Sequence, residues 1–236
     1  MAVKSRWKIE PSSRAQAALA KSKELLQREA KAKQLTKEER AAWHYLVRSY
    51  PERGRAAYAE EVQQAIGLED GKAAEQAIAR LESLDLLMLQ GGLVAAVYPY
   101  SVSPTLHEVH FPGVPQWQPV YAASAIDALG VSSVIEQEAA VESKCAYCDA
   151  PIHIGLRGGE LVEAKPDTMK LWVGGVLSGE GQEHAATSWC TAAVFACSDQ
   201  HLAAWRGKAG QREGHLLTLG EAAFVARGLY AGLFAA

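Results

Sequence analysis

The chain has 236 residues, 49% of them hydrophobic and 22% charged, with a formal net charge of −3. That size and composition fit a globular protein with a buried core, built as one large domain or as a small one beside a medium one. No apolar run reaches the roughly 18 residues of a membrane span, and the net charge exerts no general pull on nucleic acid or an anionic membrane.

The charge is uneven along the chain. Residues 1–40 carry 11 Lys and Arg against 5 Asp and Glu, and the remainder is acidic. A basic arm of this kind either stays solvated, the commoner case, or touches nucleic acid. Its residues 12–34 are rich in Ala, Lys, Glu, Gln and Leu, which predicts a helix. Apolar positions are few, so the helix is expected to be exposed or loosely docked. The start, MAVKSRWKIEPSS, has no apolar segment. That predicts a cytoplasmic protein with reduced thiols. Cys145, Cys148, Cys190 and Cys197 are then ligands, nucleophiles or core residues rather than disulfides.

From Thr36 the pattern tightens. Thr36 and Glu39 have capping-box spacing, and Trp43, Leu46 and Val47 recur at helical spacing before Pro51 and Gly54 interrupt. AYAEEVQQAIGL predicts a second helix, and Asp70 is placed to cap a third with Ala74, Ile78, Leu81 and Leu84 on one face. Two apolar runs flank Gly91-Gly92, a hairpin signal. Three helices and a hairpin over residues 36–100 predict a winged-helix-like domain between a basic arm (1–35) and a third unit (101–236). Such domains often read DNA through the third helix. Here that helix sets Lys72 and Arg80 against Glu69, Asp70, Glu75, Glu82 and Asp85, which repels phosphates. A structural or lid role is expected, and nucleic acid is not an expected partner.

The third unit predicts an α+β arrangement. VYAASAIDALGVSSVI reads as a helix, and residues 139–166 as two or three strands with Gly-rich turns. TMKLWVGGVLSG reads as a strand and ATSWCTAAVFACS as a buried strand. SDQHLAAWRGKAG reads as a capped helix, and the segment from Thr218 as a terminal one.

Three constellations there can carry chemistry. Ser124 and Asp127 stand one helical turn apart in the apolar run YAASAIDALG. A carboxylate in apolar surroundings suits a proton donor or relay; the alternative is an Asp that caps or bonds a neighbouring loop. Cys145-Ala-Tyr-Cys148 is a C-x-x-C pair, and Cys197 with His201 has C-x₃-H spacing. Together these can complete four zinc ligands, although the 48 residues between the pairs exceed zinc-finger spacings; the alternative is inert buried thiols. Cys190, at the head of an apolar run, is a core thiol or a soft-metal ligand.

YAASAIDALG, then ESKCAYCDAPI, then SWCTAAVFACSDQHLAAW, in this order and spacing, resembles the organomercurial (alkylmercury) lyase family over roughly residues 36–206. The resemblance implies a winged-helix-like N-terminal part followed by a mixed strand and helix catalytic part. It implies protonolysis of a carbon–mercury bond, with two thiolates on the soft metal and an aspartate handling the proton. Asp127 matches the family aspartate, Cys190 the second catalytic cysteine, and Cys145 a cysteine carried for structural reasons. The first catalytic cysteine falls at Ser124, and there the sequence departs from the family. A hydroxyl is a hard, weak ligand for mercury.

Three readings follow. In the first, an organometal-cleaving enzyme uses Cys190 and Asp127, with Ser124 or an external thiol in the third role. In the second, a redirected scaffold holds zinc or another soft ion on Cys145, Cys148, Cys190 and Cys197, or acts on another substrate. In the third, the protein is a non-enzymatic winged-helix binding protein. The first implies a small organometallic substrate and small-molecule thiols as partners, with mercury as substrate and product. No phosphate-cradling or dinucleotide-binding glycine motif is present, so no organic cofactor is expected.

Overall fold

The computed structural model describes residues 11–174, 184–210 and 213–234. The arm is α1 (Ser13–Leu26) and α2 (Arg28–Ala32), bent at Gln27, whose backbone is left-handed. Next come α3 (Lys37–Arg48), α4 (Tyr50–Arg53), α5 (Ala59–Ile66) and α6 (Gly71–Ser83). The predicted capping box of Thr36 and Glu39 opens α3, and Asp70 Oδ1 accepts the Ala73 N–H at the head of α6. α3, α5 and α6 pack on one another.

A hairpin of β1 (Leu87–Gln90) and β2 (Leu93–Val97) follows, turning on Gly91 and Gly92, both at positive φ. The chain then enters β3 (Tyr100–Ser101), β4 (Glu108–His110), β5 (Val120–Ala122), α7 (Ala125–Ile135), β6 (Ala139–Lys144), β7 (Pro151–Arg157) and β8 (Glu160–Lys165). It closes with β9 (Lys170–Gly174), β10 (Ala193–Ala196), α8 (Asp199–Ala209), β11 (Gly214–Thr218) and α9 (Leu219–Tyr230). Among the described residues, one antiparallel sheet runs β1-β2-β3-β5-β4-β6-β7-β8 and a second runs β10-β9-β11. The hairpin therefore continues directly into the second half of the chain, because β2 pairs with β3 across residue 100. Residues 175–179 of the strand expected over 168–179 lie outside the described residues.

α7 is the central element. It is apolar on every side, and a helix of that kind has to be surrounded. It packs against β5, β6, β7 and β10 and is crossed by α9. The crossing is close: a Cβ at Gly130 would lie 2.4 Å from Cδ2 of Tyr230. Gly130→Ala is therefore expected to destabilise the protein by about 1–3 kcal/mol, the usual cost of overpacking. A urea midpoint equal to that of the native chain would count against this account of the crossing.

Two expectations are corrected. The arm is not loosely docked. Ala15, Ala18 and Leu26 are buried, Leu19 fills the space that a side chain at Gly228 of α9 would need, and Ser12 and Arg14 both bond Glu221 at the head of α9. Small alanines give a weak apolar signal yet allow close helix approach. The strand expected over 186–198 is only β10. Before it, the hydroxyls of Thr187 and Ser188 donate to the His184 carbonyl and Thr191 to that of Ser188, and Cys190–Ala192 form a 3₁₀ turn. Local side-chain bonds of this type compete with strand pairing.

Candidate functional site

The site is built where α7 begins. Ser124 is the N-cap: its Oγ accepts the Asp127 N–H at 3.1 Å. Its own hydroxyl proton goes to Asp127 Oδ2 at 2.7 Å. The Ser–Asp spacing is thus a helix cap and a side-chain pair at once. Asp127 is fully buried and lies in the first turn, where the helix dipole favours a carboxylate.

Four donors converge on this carboxylate. Ser124 and Cys190 reach Oδ2, with Cys190 Sγ at 3.4 Å. The Tyr230 hydroxyl and Arg28 Nη2 reach Oδ1, the latter at 3.4 Å. The Arg28 guanidinium lies between the Tyr98 and Tyr230 rings, 4.7 and 5.0 Å from their centroids. Burial opposes its charge, but the neighbouring Asp127 carboxylate outweighs that effect. Burial and the neighbouring Asp127 push the Cys190 thiol well above its usual range. Burial likewise pushes up the Tyr230 hydroxyl. Cys190 and Tyr230 are therefore protonated at neutral pH.

Cys190 is held by a second network centred on Asp85. Asp85 Oδ1 accepts the Tyr98 hydroxyl at 3.0 Å and the Ala185 N–H at 3.2 Å, and the Ala185 carbonyl accepts the Cys190 N–H at 2.8 Å. Cys190 then lines a cleft of about 350 Å³ together with Met88, Ala96, Leu106, His107 and Ala123. Burial lowers His107 to about 4, so its ring is neutral there at physiological pH. Asp127 is outside the lining, 3.4 Å from the Cys190 sulfur that is part of it.

The structure brings together Ser124, Asp127 and Cys190, and adds Arg28, Asp85, Tyr98 and Tyr230, which sequence reasoning missed. Arg28 was one of many basic residues in the arm, and nothing in local spacing marks the two tyrosines. The one available signal was Gly130 within an apolar helix, a hint of close approach. Of the four cysteines considered together as ligands, Cys145, Cys148 and Cys197 gather with His201, their ligand atoms all within 4.8 Å of one another, whereas Cys190 stands with Asp127. Burial opposes ionisation of Cys145, but N–H groups of Cys197, Tyr147 and Cys148 outweigh it and bring the thiol to about 6. Burial and the two neighbouring sulfurs push Cys197 up to about 11.

A comparison with curated proteins finds no match. A solved structure described as the mercury-bound form of MerB2 has the same fold, with a TM-score of 0.71 at 21% identity, covering 92% of this chain and 99% of that one. The arrangement of N-terminal helices followed by sheet agrees with that structure. The family model described as MerB, alkylmercury lyase, matches residues 100–231, which include the cap, the carboxylate, the thiol and the crossing tyrosine. The chain belongs to the alkylmercury lyase family.

Proposed function

We propose that the protein cleaves the carbon–mercury bond of a small organomercurial by protonolysis, with Cys190 binding the metal and Asp127 carrying the proton. The observation behind this reading is the 3.4 Å contact between the Cys190 thiol and Asp127 Oδ2 at the wall of an apolar cleft. A soft cation prefers sulfur. When an R–Hg⁺ group meets the thiol, the S–H proton passes to Asp127 and a sulfur–mercury bond forms. The Asp127 carboxyl then gives that proton to the bound carbon. The carbon–mercury bond breaks, its electron pair goes to the new C–H bond, and the hydrocarbon leaves. Hg²⁺ remains on the Cys190 thiolate beside a regenerated carboxylate.

Ser124 keeps the carboxylate in position by hydrogen bonding, with at most weak ligation to mercury. A small external thiol supplies the second sulfur and carries the product ion away. Arg28 keeps a positive charge beside Asp127 Oδ1, and the Tyr230 hydroxyl donates to that same oxygen.

The test is anaerobic turnover of an alkylmercury salt with excess small thiol, reading hydrocarbon in the headspace. The native chain should release hydrocarbon, and Cys190→Ala should lose at least about 10²-fold, the scale of a lost proton-transfer partner. Ser124→Cys should be faster than the native chain, because a second sulfur replaces a hard oxygen. Activity in Ser124→Cys with none in the native chain would overturn the proposal for this sequence.

A further inference from the structure

Among the described residues, a cluster of cysteines with one histidine takes no part in the chemistry above. Cys145 and Cys148 flank the turn between β6 and β7, Cys197 follows β10, and His201 lies in the first turn of α8. Cys148 Sγ lies 3.8 Å from Cys197 Sγ, Cys145 Sγ lies 3.8 Å from His201 Nδ1, and Cys197 Sγ lies 3.0 Å from the same nitrogen. With zinc–sulfur bonds of about 2.3 Å and zinc–nitrogen bonds of about 2.0 Å, a tetrahedron has edges of about 3.5–3.8 Å. The two 3.8 Å edges match such a figure, the 3.0 Å sulfur–nitrogen edge is shorter, and all four atoms lie within 4.8 Å of one another. The sulfurs are much too far apart for a disulfide, whose S–S bond is about 2.05 Å.

The backbone is shaped for the same end. The turn closes through Cys145 N–H to the Ala150 carbonyl and Asp149 N–H to the Cys145 carbonyl, with Asp149 at a φ of 58°. On the other side, Ser198 Oγ accepts the His201 N–H, which fixes the histidine four residues after Cys197. Three sulfurs and an imidazole, with no carboxylate or carbonyl among them, are a soft-to-borderline donor set that selects against calcium and magnesium.

We propose that Cys145, Cys148, Cys197 and His201 bind one zinc ion as a closed, structural site, separate from the cleft. Four protein ligands leave no open position, so the ion has no role in the chemistry of Cys190. It joins the β6–β7 turn to the end of β10 and the head of α8. The Ala146 N–H already donates to the Phe195 carbonyl there. β10 starts directly after the 3₁₀ turn that holds Cys190, so the clip steadies the strand on which the reactive thiol depends.

The experiment is metal analysis of the full chain purified reduced and without chelator, followed by cobalt substitution. One zinc per chain is expected, and cobalt should give tetrahedral d–d bands with thiolate charge-transfer absorption. Cys148→Ser and His201→Ala should each lose the zinc and show a lower Tm. Cys190→Ala should keep it, which makes this result independent of whether the protein cleaves organomercurials. Cys148 is exposed, so the serine variant should fold even if His201→Ala does not. A metal-free chain that takes up neither zinc nor cobalt would overturn the proposal. So would zinc retained in both variants, or a Cys148–Cys197 disulfide in the reduced preparation.

Discussion

Arg28→Met is expected to destabilise the protein by about 3–5 kcal/mol, the range for removing one partner of a buried ion pair. The Arg28 and Asp127 side chains are 4% and 0% exposed, so the pair has almost no help from solvent. Methionine keeps an unbranched apolar stem between the Tyr98 and Tyr230 rings, so most of the loss comes from the carboxylate left without its cation rather than from a void. The double variant Arg28→Met/Asp127→Asn tests this directly. With both charges gone, its destabilisation should be smaller than the sum of the single changes by about 1–3 kcal/mol, a coupling typical of residues in direct contact. Urea unfolding of the four chains measures it. Simple additivity would show that the arm contributes packing alone.

Asp127→Asn is expected to lower hydrocarbon release by about 10²–10⁴-fold, the range for a positioned acid–base group. Asparagine can still accept from Tyr230 and sit at the helix start, but it cannot take the thiol proton and return it to carbon. The assay belongs well below the unfolding midpoint, because this substitution also leaves the buried Arg28 charge unpaired. Turnover within a few-fold of the native chain would mean that the proton reaches carbon by another route.

How legible the protein was depended on the range of each interaction. The capping box at Thr36 and Glu39, the cap at Asp70 and the Gly91-Gly92 hairpin are contacts within a few residues, and their chemistry is written in the spacing. The strand expected over 186–198 failed for the converse reason. Its hydrophobic pattern was real, but Thr187, Ser188 and Thr191 bond nearby carbonyls and keep the segment around Cys190 out of the sheet. In the arm, charge dominates the composition, while burial is carried by alanines, one serine and Leu26, so its docking leaves little trace in the sequence.

The Ser124–Asp127 pair and the two cysteine pairings, C-x-x-C and C-x₃-H, are legible in the sequence by itself. Each is a matter of side chains within one turn of backbone. Long-range packing is what brings Cys190 to Asp127, 63 residues earlier, and Cys197 to Cys148, 49 residues earlier. It also brings Arg28 and Tyr230, 99 and 103 residues from Asp127, onto the carboxylate. Spacing speaks for groups joined by a short stretch of regular backbone. Groups this far apart meet only because α7 is apolar all round and must be enclosed, which draws the arm, α9 and the Cys190 turn onto its first residues.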